Sequence, residues 1–423
     1  MSRRLYSLLL YLSVPLILLR LLWRARKAPD YRRRIGERFG LGLTVLQAGG
    51  IWIHAVSVGE TLAALPLIKK LQAEYPQRRI IVTTMTPTGS AQVRRSFGDS
   101  VTHVYAPYDL PFAVRRFLDA MRPEILLIIE TELWPNILHC SAQRGTPILL
   151  MNARLSQNSA QGYARLGRLT RTMLRNLTFI CAQNAADAKR FTNLGLASDR
   201  ITVTGSIKFD VHFDQALRAQ AEQVRAQWSA GEQRRIWIAA STHHGEDAIV
   251  VAAQQQLLLQ FPDLLLVIVP RHPERFDAVY ELCQASGIIV QRRSRVKDLD
   301  KETRILLADT MGELSLLFGA CDIAFVGGSL VPTGGHNLIE PAAWGLPVIC
   351  GPHLFNFTDV ARALAEQGGL TIVQDERQLS MQLKLLLNDA EMHQQAGVSN
   401  RRVVEQNRGA LQRQFETVQR YLS

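Results

Sequence analysis

From residue 51 onward, short apolar runs rich in β-branched residues alternate with runs of helical period, and this alternation constrains the fold more than any other feature. Segments 51–55, 80–84, 101–106, 125–129, 147–151, 179–182 and 201–203 have the length and composition of buried strands. Helical patterns fall between them, at 60–74, 110–121, 133–144, 163–175 and 185–194. Strands separated each time by a helix build a parallel, doubly wound sheet, because parallel neighbours need a long crossover. The pattern lapses at Gly205-Ser206-Ile207-Lys208-Phe209-Asp210, through the polar run 215–228, and at Gly231-Glu232-Gln233-Arg234-Arg235. It resumes with strands at 236–240, 264–269, 305–307, 323–326, 348–350 and 370–373, and helices at 381–387 and 403–422 close the chain. The expectation is an α/β chain of two Rossmann-like domains facing a cleft, the first over 35–212 and the second over 213–423, with ligand sites where the strands end.

Residues 1–34 stand apart. They hold nine cations against the single acid Asp30, a net +8 of the +12 carried by the whole chain. Between Leu5 and Leu19 no charge interrupts the apolar run, and Leu21-Leu22-Trp23 continue it beyond Arg20. A cleaved leader is disfavoured by the basic flank and the lack of a small-residue cleavage site. The segment reads as a basic membrane anchor that spans or lies in the interface, since its length is marginal for a span of about 20 residues. Anionic lipid is the partner that such a cluster fits, and no nucleic acid is expected, because no RNA- or DNA-binding module accompanies it. The five cysteines form no CxxC pair, which argues against a disulfide framework or a zinc site.

The polar residues gather at strand ends. In Val56-Ser57-Val58-Gly59-Glu60-Thr61 a carboxylate occupies the helix start where an anion would otherwise bind, so Glu60 is either a helix-stabilising charge or a base for a neutral group. Taken alone, Glu130-Thr131-Glu132 could cap the helix that follows, and Lys208 could be a surface lysine. In the second half, Ser241-Thr242-His243-His244-Gly245-Glu246, Pro270-Arg271-His272, Asp309-Thr310-Met311-Gly312-Glu313, Gly327-Gly328-Ser329 and Thr333-Gly334-Gly335-His336-Asn337-Leu338-Ile339-Glu340 all follow strands. In the last of these, Gly334 and Gly335 would let backbone approach a ligand, open N–H groups at the helix start would suit a phosphate, and Glu340 would accept from ribose hydroxyls. That is a nucleotide site in outline. The basic run 292–297 reads as a solvated loop, and the histidine spacings do not suit a metal.

With those residues in view, the chain resembles the GT-B glycosyltransferases, and its strings are similar to those of the bacterial 3-deoxy-D-manno-octulosonic acid (Kdo) transferases. The strings are Arg26-Lys27-Ala28-Pro29, Ser57-Val58-Gly59-Glu60-Thr61, Thr84-Met85-Thr86-Pro87-Thr88-Gly89, Tyr108-Asp109, Glu130 through Asn136, Asn152-Ala153-Arg154-Leu155-Ser156, Gly205 through Asp210, and Val269 through Arg275. One departure is Leu338 directly after Asn337, where relatives often carry proline. The resemblance implies an inverting transfer of Kdo from CMP-Kdo to a lipid A precursor at the cytoplasmic face of the inner membrane, within lipopolysaccharide core synthesis. It implies an acceptor-binding first domain, a CMP-Kdo-binding second domain and no metal or cofactor. Glu60 matches the family's base, and Glu130 and Lys208 match its transition-state stabilisers. Pro270, Arg271, Met311, Gly312, Glu313, Asn337, Leu338, Ile339 and Glu340 match its nucleotide-binding positions. Two Kdo additions are the expectation, although no visible motif fixes the number. The alternatives are another lipid-linked sugar transferase using a UDP-sugar, and a nucleotide-sugar epimerase, which would have no use for a membrane anchor.

Overall fold

The computed structural model describes residues 1–27, 29–229, 234–296 and 298–422. Ala28 of the Arg26-Lys27-Ala28-Pro29 string, Gly231-Glu232-Gln233 and Lys297 therefore lie outside the described residues. The chain divides into two compact units, Met1–Asp210 with Arg408–Ser423, and Val211–Asn407.

The first unit is built on seven parallel strands: β1 (Gly50–His54), β2 (Ile80–Thr84), β3 (Thr102–Tyr105), β4 (Pro123–Ile129), β5 (Ile148–Ala153), β6 (Phe179–Ala182) and β7 (Ile201–Val203). Their order in the sheet is β3-β2-β1-β4-β5-β6-β7. The order reverses direction between β1 and β4, which leaves a crevice at the carboxyl ends of those two strands. β1, β2 and β5 are buried along their full length, which explains why they read as continuous apolar runs instead of alternating ones. One core, centred on Trp52, Phe117, Leu126 and Leu150, covers one face of the sheet, and another, around Ile53, Leu67, Ile68 and Leu127, covers the other.

The second unit repeats the plan with β8 (Ile236–Thr242), β9 (Leu265–Pro270), β10 (Val290–Arg292), β11 (Ile305–Leu307), β12 (Ile323–Val326), β13 (Val348–Cys350) and β14 (Leu370–Ile372). The order β10-β11-β9-β8-β12-β13-β14 places the reversal between β8 and β12. These are the two doubly wound sheets expected of a GT-B chain.

Four local expectations change. The helical run at 163–175 is two helices, Gln157–Leu166 and Arg168–Asn176, broken at Gly167, whose φ of 51° a side chain would resist. The run at 403–422 is likewise divided, into Ala390–Asn407 and Ala410–Gln419, by Gly409 at φ 82°. That break matters for the domain boundary, because the last helix belongs to the first unit and not to a second domain running to 423. Phe415 and Val418 enter the core around Leu67 and Leu127, and the Asp210 carboxylate accepts from the N–H groups of Gly409 and Leu411. Finally, the basic run beginning at Arg292 is not a solvated loop. Arg292 ends β10 and pairs with Asp309 at 2.7 Å and Asp277 at 2.6 Å, and Arg293 grips Glu313 through two bonds of 2.8 and 3.0 Å.

Candidate active site

In the first unit the three residues matched to catalysis converge on the reversal between β1 and β4. Glu60 is the third residue of the helix Val58–Glu74, which is separated from β1 by three residues. Ser57 and Glu60 form a reciprocal cap: the Ser57 hydroxyl accepts from the Glu60 N–H at 3.2 Å, and Glu60 Oε2 accepts from the N–H groups of Val56 and Ser57 at 2.6 and 3.3 Å. Oε2 is thus fixed, while Oε1 has no protein partner among the described residues. The two readings left open for Glu60 are therefore compatible, since one oxygen holds the helix and the other is available for a proton.

Burial pushes the Glu60 carboxyl up to about 7; the charge of Glu132 adds to this, the Val56 N–H opposes it, and Glu130 adds further. A base poised near neutral pH is what proton abstraction from a hydroxyl needs. Glu132 was not singled out from the sequence as a separate contributor. Its own carboxyl is raised by burial, and its Oε2 accepts from the Trp134 indole N–H at 2.8 Å.

Glu130 follows β4 directly and sits at φ 62°, a left-handed backbone uncommon outside glycine. Such local strain is held only where surrounding contacts fix it. Here the Glu130 N–H donates to the Met151 carbonyl at 3.0 Å, and the next residue, Thr131, donates its hydroxyl to the Arg154 carbonyl. Glu130 Oε1 lies 3.3 Å from Lys208 Nζ. Lys208 is far away in sequence and arrives on the turn Ile207–Phe209. Asn152, also left-handed at φ 51°, accepts the Ile207 N–H on Oδ1 at 3.1 Å, and its own N–H donates to Gln414 of the last helix at 2.9 Å. The strings around Asn152 and Gly205 thus place the lysine.

The Glu130-Thr131-Glu132 segment does not cap the helix Pro135–Gln143. The carboxylate of Asp109 does so, accepting from the N–H groups of Asn136 at 2.9 Å and Ile137 at 2.7 Å.

In the second unit the matched nucleotide positions leave the carboxyl ends of neighbouring strands. Pro270 ends β9 and Arg271 follows with its side chain exposed; Met311, Gly312 and Glu313 follow β11; Asn337, Leu338, Ile339 and Glu340 follow β12. Met311 is exposed and Gly312 has φ 88°. The hydrogen bonds from Arg293 lower the Glu313 carboxyl from its ordinary value. Asn337 is locked in both directions, donating to Glu340 Oε1 at 2.8 Å and accepting the Ile339 N–H at 3.0 Å. Burial raises the Glu340 carboxyl. Leu338 and Ile339 are buried in the fold, so only their backbones can serve a ligand.

In the turn over 333–340, where open N–H groups are expected, the Gly335 N–H donates to the Gly328 carbonyl at 2.7 Å; the Gly327-Gly328-Ser329 turn that precedes it, directly after β12, is closed by the protein itself. Glu246, fully buried, accepts from the N–H groups of Gly328, Ser329 and Leu330 at 2.7, 3.0 and 2.9 Å, and from His243 at 2.9 Å. The protein's own carboxylate fills that nest. A Cβ on Gly327 would stand 2.9 Å from Glu246 Oε2, so the glycine serves this internal contact. The turn is fastened further by the Ser329 hydroxyl, which accepts the Gly351 N–H at 2.8 Å. Glu246 was visible in the sequence only as one polar residue in a loop, because nothing local shows that β12 folds against it. What remains open beside this turn is cationic and imidazole-rich. His243 and His336 stack with 2.8 Å between their Nε2 atoms, and His272 meets His243 edge-on. Burial first, then His243 and Arg271, bring His336 down to about 4, and burial lowers His243 as well.

Comparison with known proteins identifies the family. A family model described as 3-Deoxy-D-manno-octulosonic-acid transferase (kdotransferase) matches residues 33–211. The chain is 43% identical to the 3-deoxy-D-manno-octulosonic acid transferase of Haemophilus influenzae, over 100% of this chain and 99% of the relative. It is 37% identical to the enzyme of the same name from Bordetella pertussis, over 92% of each. Among solved structures, the UDP-GlcNAc 2-epimerase of Neisseria meningitidis covers 88% of this chain and 100% of its own with a TM-score of 0.56. At 14% identity that likeness speaks for the fold alone. Full-length identity at this level establishes that this chain belongs to the Kdo transferase family.

Proposed function

We propose that this protein transfers Kdo from CMP-Kdo to a lipid A precursor with inversion at the anomeric centre, adding two residues in succession at the cytoplasmic face of the inner membrane. The observation that carries this reading is Glu60: a buried carboxylate with one oxygen anchored, the other open, and a pKa brought to about 7. In an inverting transfer this base takes the proton of the acceptor hydroxyl as that oxygen attacks the Kdo anomeric carbon and the bond to the CMP phosphate breaks. Glu130 and Lys208, paired at 3.3 Å, stabilise the charge that develops in the transition state. Lys208 is half-exposed, so it can exchange its carboxylate partner for a substrate anion at little cost.

In the second unit, Arg271 supplies a cation for the CMP phosphate, and Glu340, held by Asn337, accepts from the ribose hydroxyls. The backbones of Pro270, Met311, Gly312, Leu338 and Ile339 complete the nucleotide cradle, with Glu313 held by Arg293 at its edge. The N-terminal helix Arg3–Lys27, long and apolar enough to cross a membrane over residues 3–26, attaches the first unit to the bilayer that holds the acceptor. Anionic lipid is the partner of its basic flank. The test is incubation of purified protein with CMP-Kdo and a tetraacylated lipid A precursor. A lipid product carrying one and then two Kdo residues is expected. Turnover of a UDP-sugar in its place would overturn the donor assignment.

A further inference from the structure

The N-terminal helix has two faces with different tasks. One stripe, turned toward the first unit, buries Ser7, Leu21 and Ala25. The opposite stripe exposes Leu5, Leu8, Leu12, Leu16, Leu19 and Leu22, all apolar. A helix that crossed the bilayer with its basic flank inside would carry Arg3 roughly 30 Å away from that flank, to the far side. Instead the amino-terminal end is keyed into the globular unit. Arg3 Nη1 and Ser7 Oγ both donate to Asn136 Oδ1, at 2.9 and 3.0 Å. Asn136 is itself fully buried and donates its Nδ2 to the Asp109 carbonyl at 2.6 Å. The terminal ammonium reaches the Leu166 carbonyl at 3.4 Å, and Tyr11 stacks on Phe112 with centroids 6.1 Å apart. The contacts therefore run from Met1 to Ala25, and the partners Asp109 and Asn136 are polar groups that hydrocarbon would not tolerate.

From this geometry we propose that the helix lies flat in one leaflet, keyed to the first unit through Asn136 and Asp109, with its exposed leucine face in the lipid. The key explains two strings that catalysis leaves unused, Tyr108-Asp109 and Trp134-Pro135-Asn136: Asp109 caps the helix Pro135–Gln143 and Asn136, at its start, receives the anchor. The lipid is the occupant that the surface fits. The apolar strip between Leu5 and Leu19 is free of charge, while exposed Arg20, Arg24, Arg26, Arg32 and Arg33 cluster beyond it, where anionic headgroups would sit. The inference rests on the membrane-attached reading given above and extends it to topology.

Two variants of the full chain that each add one cysteine, S2C and L12C, test it with a membrane-impermeant maleimide. The five native cysteines are all buried and serve as a silent background. Labelling is compared in right-side-out and inside-out vesicles from expressing cells. Position 2 should react in inside-out vesicles only, and position 12 should react in neither until detergent is added. Reaction at position 2 in right-side-out vesicles would show a crossing helix and overturn the proposal. Reaction at position 12 without detergent would show that the leucine face is not in lipid and would overturn it equally. Because labelling needs no turnover, the outcome is independent of which sugar donor the enzyme uses.

Discussion

Replacing Glu60 by Gln separates the chemistry of that carboxylate from its structural work. The amide keeps a carbonyl to accept the Val56 N–H, so the cap on the helix Val58–Glu74 is partly retained, but no base remains. Loss of a general base lowers kcat by about 10²–10⁴-fold. Stability should move in the other direction. Glu60 is 8% exposed, and its pKa lies at about 7 against an ordinary 4.5. A raised carboxylate pKa means that the fold resists the charge: the cost is absent below the ordinary value, grows between the two and is complete above pH 7. That difference is worth about 3 kcal/mol at most. The weakened cap takes back about 1 kcal/mol. Glu60→Gln should thus be more stable than the parent by about 2 kcal/mol at pH 8 and slightly less stable at pH 4.5. Urea titrations at the two pH values measure this, and parallel initial-rate assays measure activity. In the parent, kcat/KM should rise with pH through a midpoint near 7, leaving about a tenth of the plateau at pH 6. A variant that turns over within a few-fold of the parent, or that loses as much stability at pH 8 as at pH 4.5, refutes the reasoning.

Lys208→Met should leave stability within about 1 kcal/mol, since its partner contact is half-exposed, while lowering kcat by about 10²–10³-fold; denaturation and rate assays together read the difference. Glu246→Ala removes the carboxylate on which four N–H groups converge, so the second unit should lose about 2–4 kcal/mol by chemical denaturation, and CMP should bind more weakly in calorimetry. Arg271→Ala, at an exposed position, should change stability by about 0.5 kcal/mol or less yet raise the donor KM tenfold or more; an unchanged donor KM would remove Arg271 from the nucleotide site.

The sheets were legible in the sequence because strands buried on both faces must be apolar without interruption, and 80–84, 305–307, 323–326 and 348–350 coincide with observed strands of that kind. β10 was missed since Val290-Gln291-Arg292 is short, at the sheet edge and rich in polar residues that pair with distant acids. The family strings indicated which loops matter, but not what each residue does there. Glu60 could be placed at a helix start from local pattern, whereas the pairing of Glu130 with Lys208 depends on a turn 78 positions later folding back under Asn152. The same limit applies to the glycine-rich turn after β12. Nothing in its sequence shows that its N–H groups are held by Glu246, which only the tertiary structure reveals. The last helix, too, reads as part of the domain that precedes it, until Gly409 redirects the chain to the first unit.

The most direct test of the account is mass spectrometry of the lipid formed from CMP-Kdo and a tetraacylated lipid A precursor by the parent chain and by Glu60→Gln. The account predicts Kdo-bearing lipid from the parent and about 10²–10⁴-fold less from the variant under the same conditions. Equal product from the two proteins would contradict the role of Glu60, and no Kdo-bearing lipid from the parent would contradict the transfer itself.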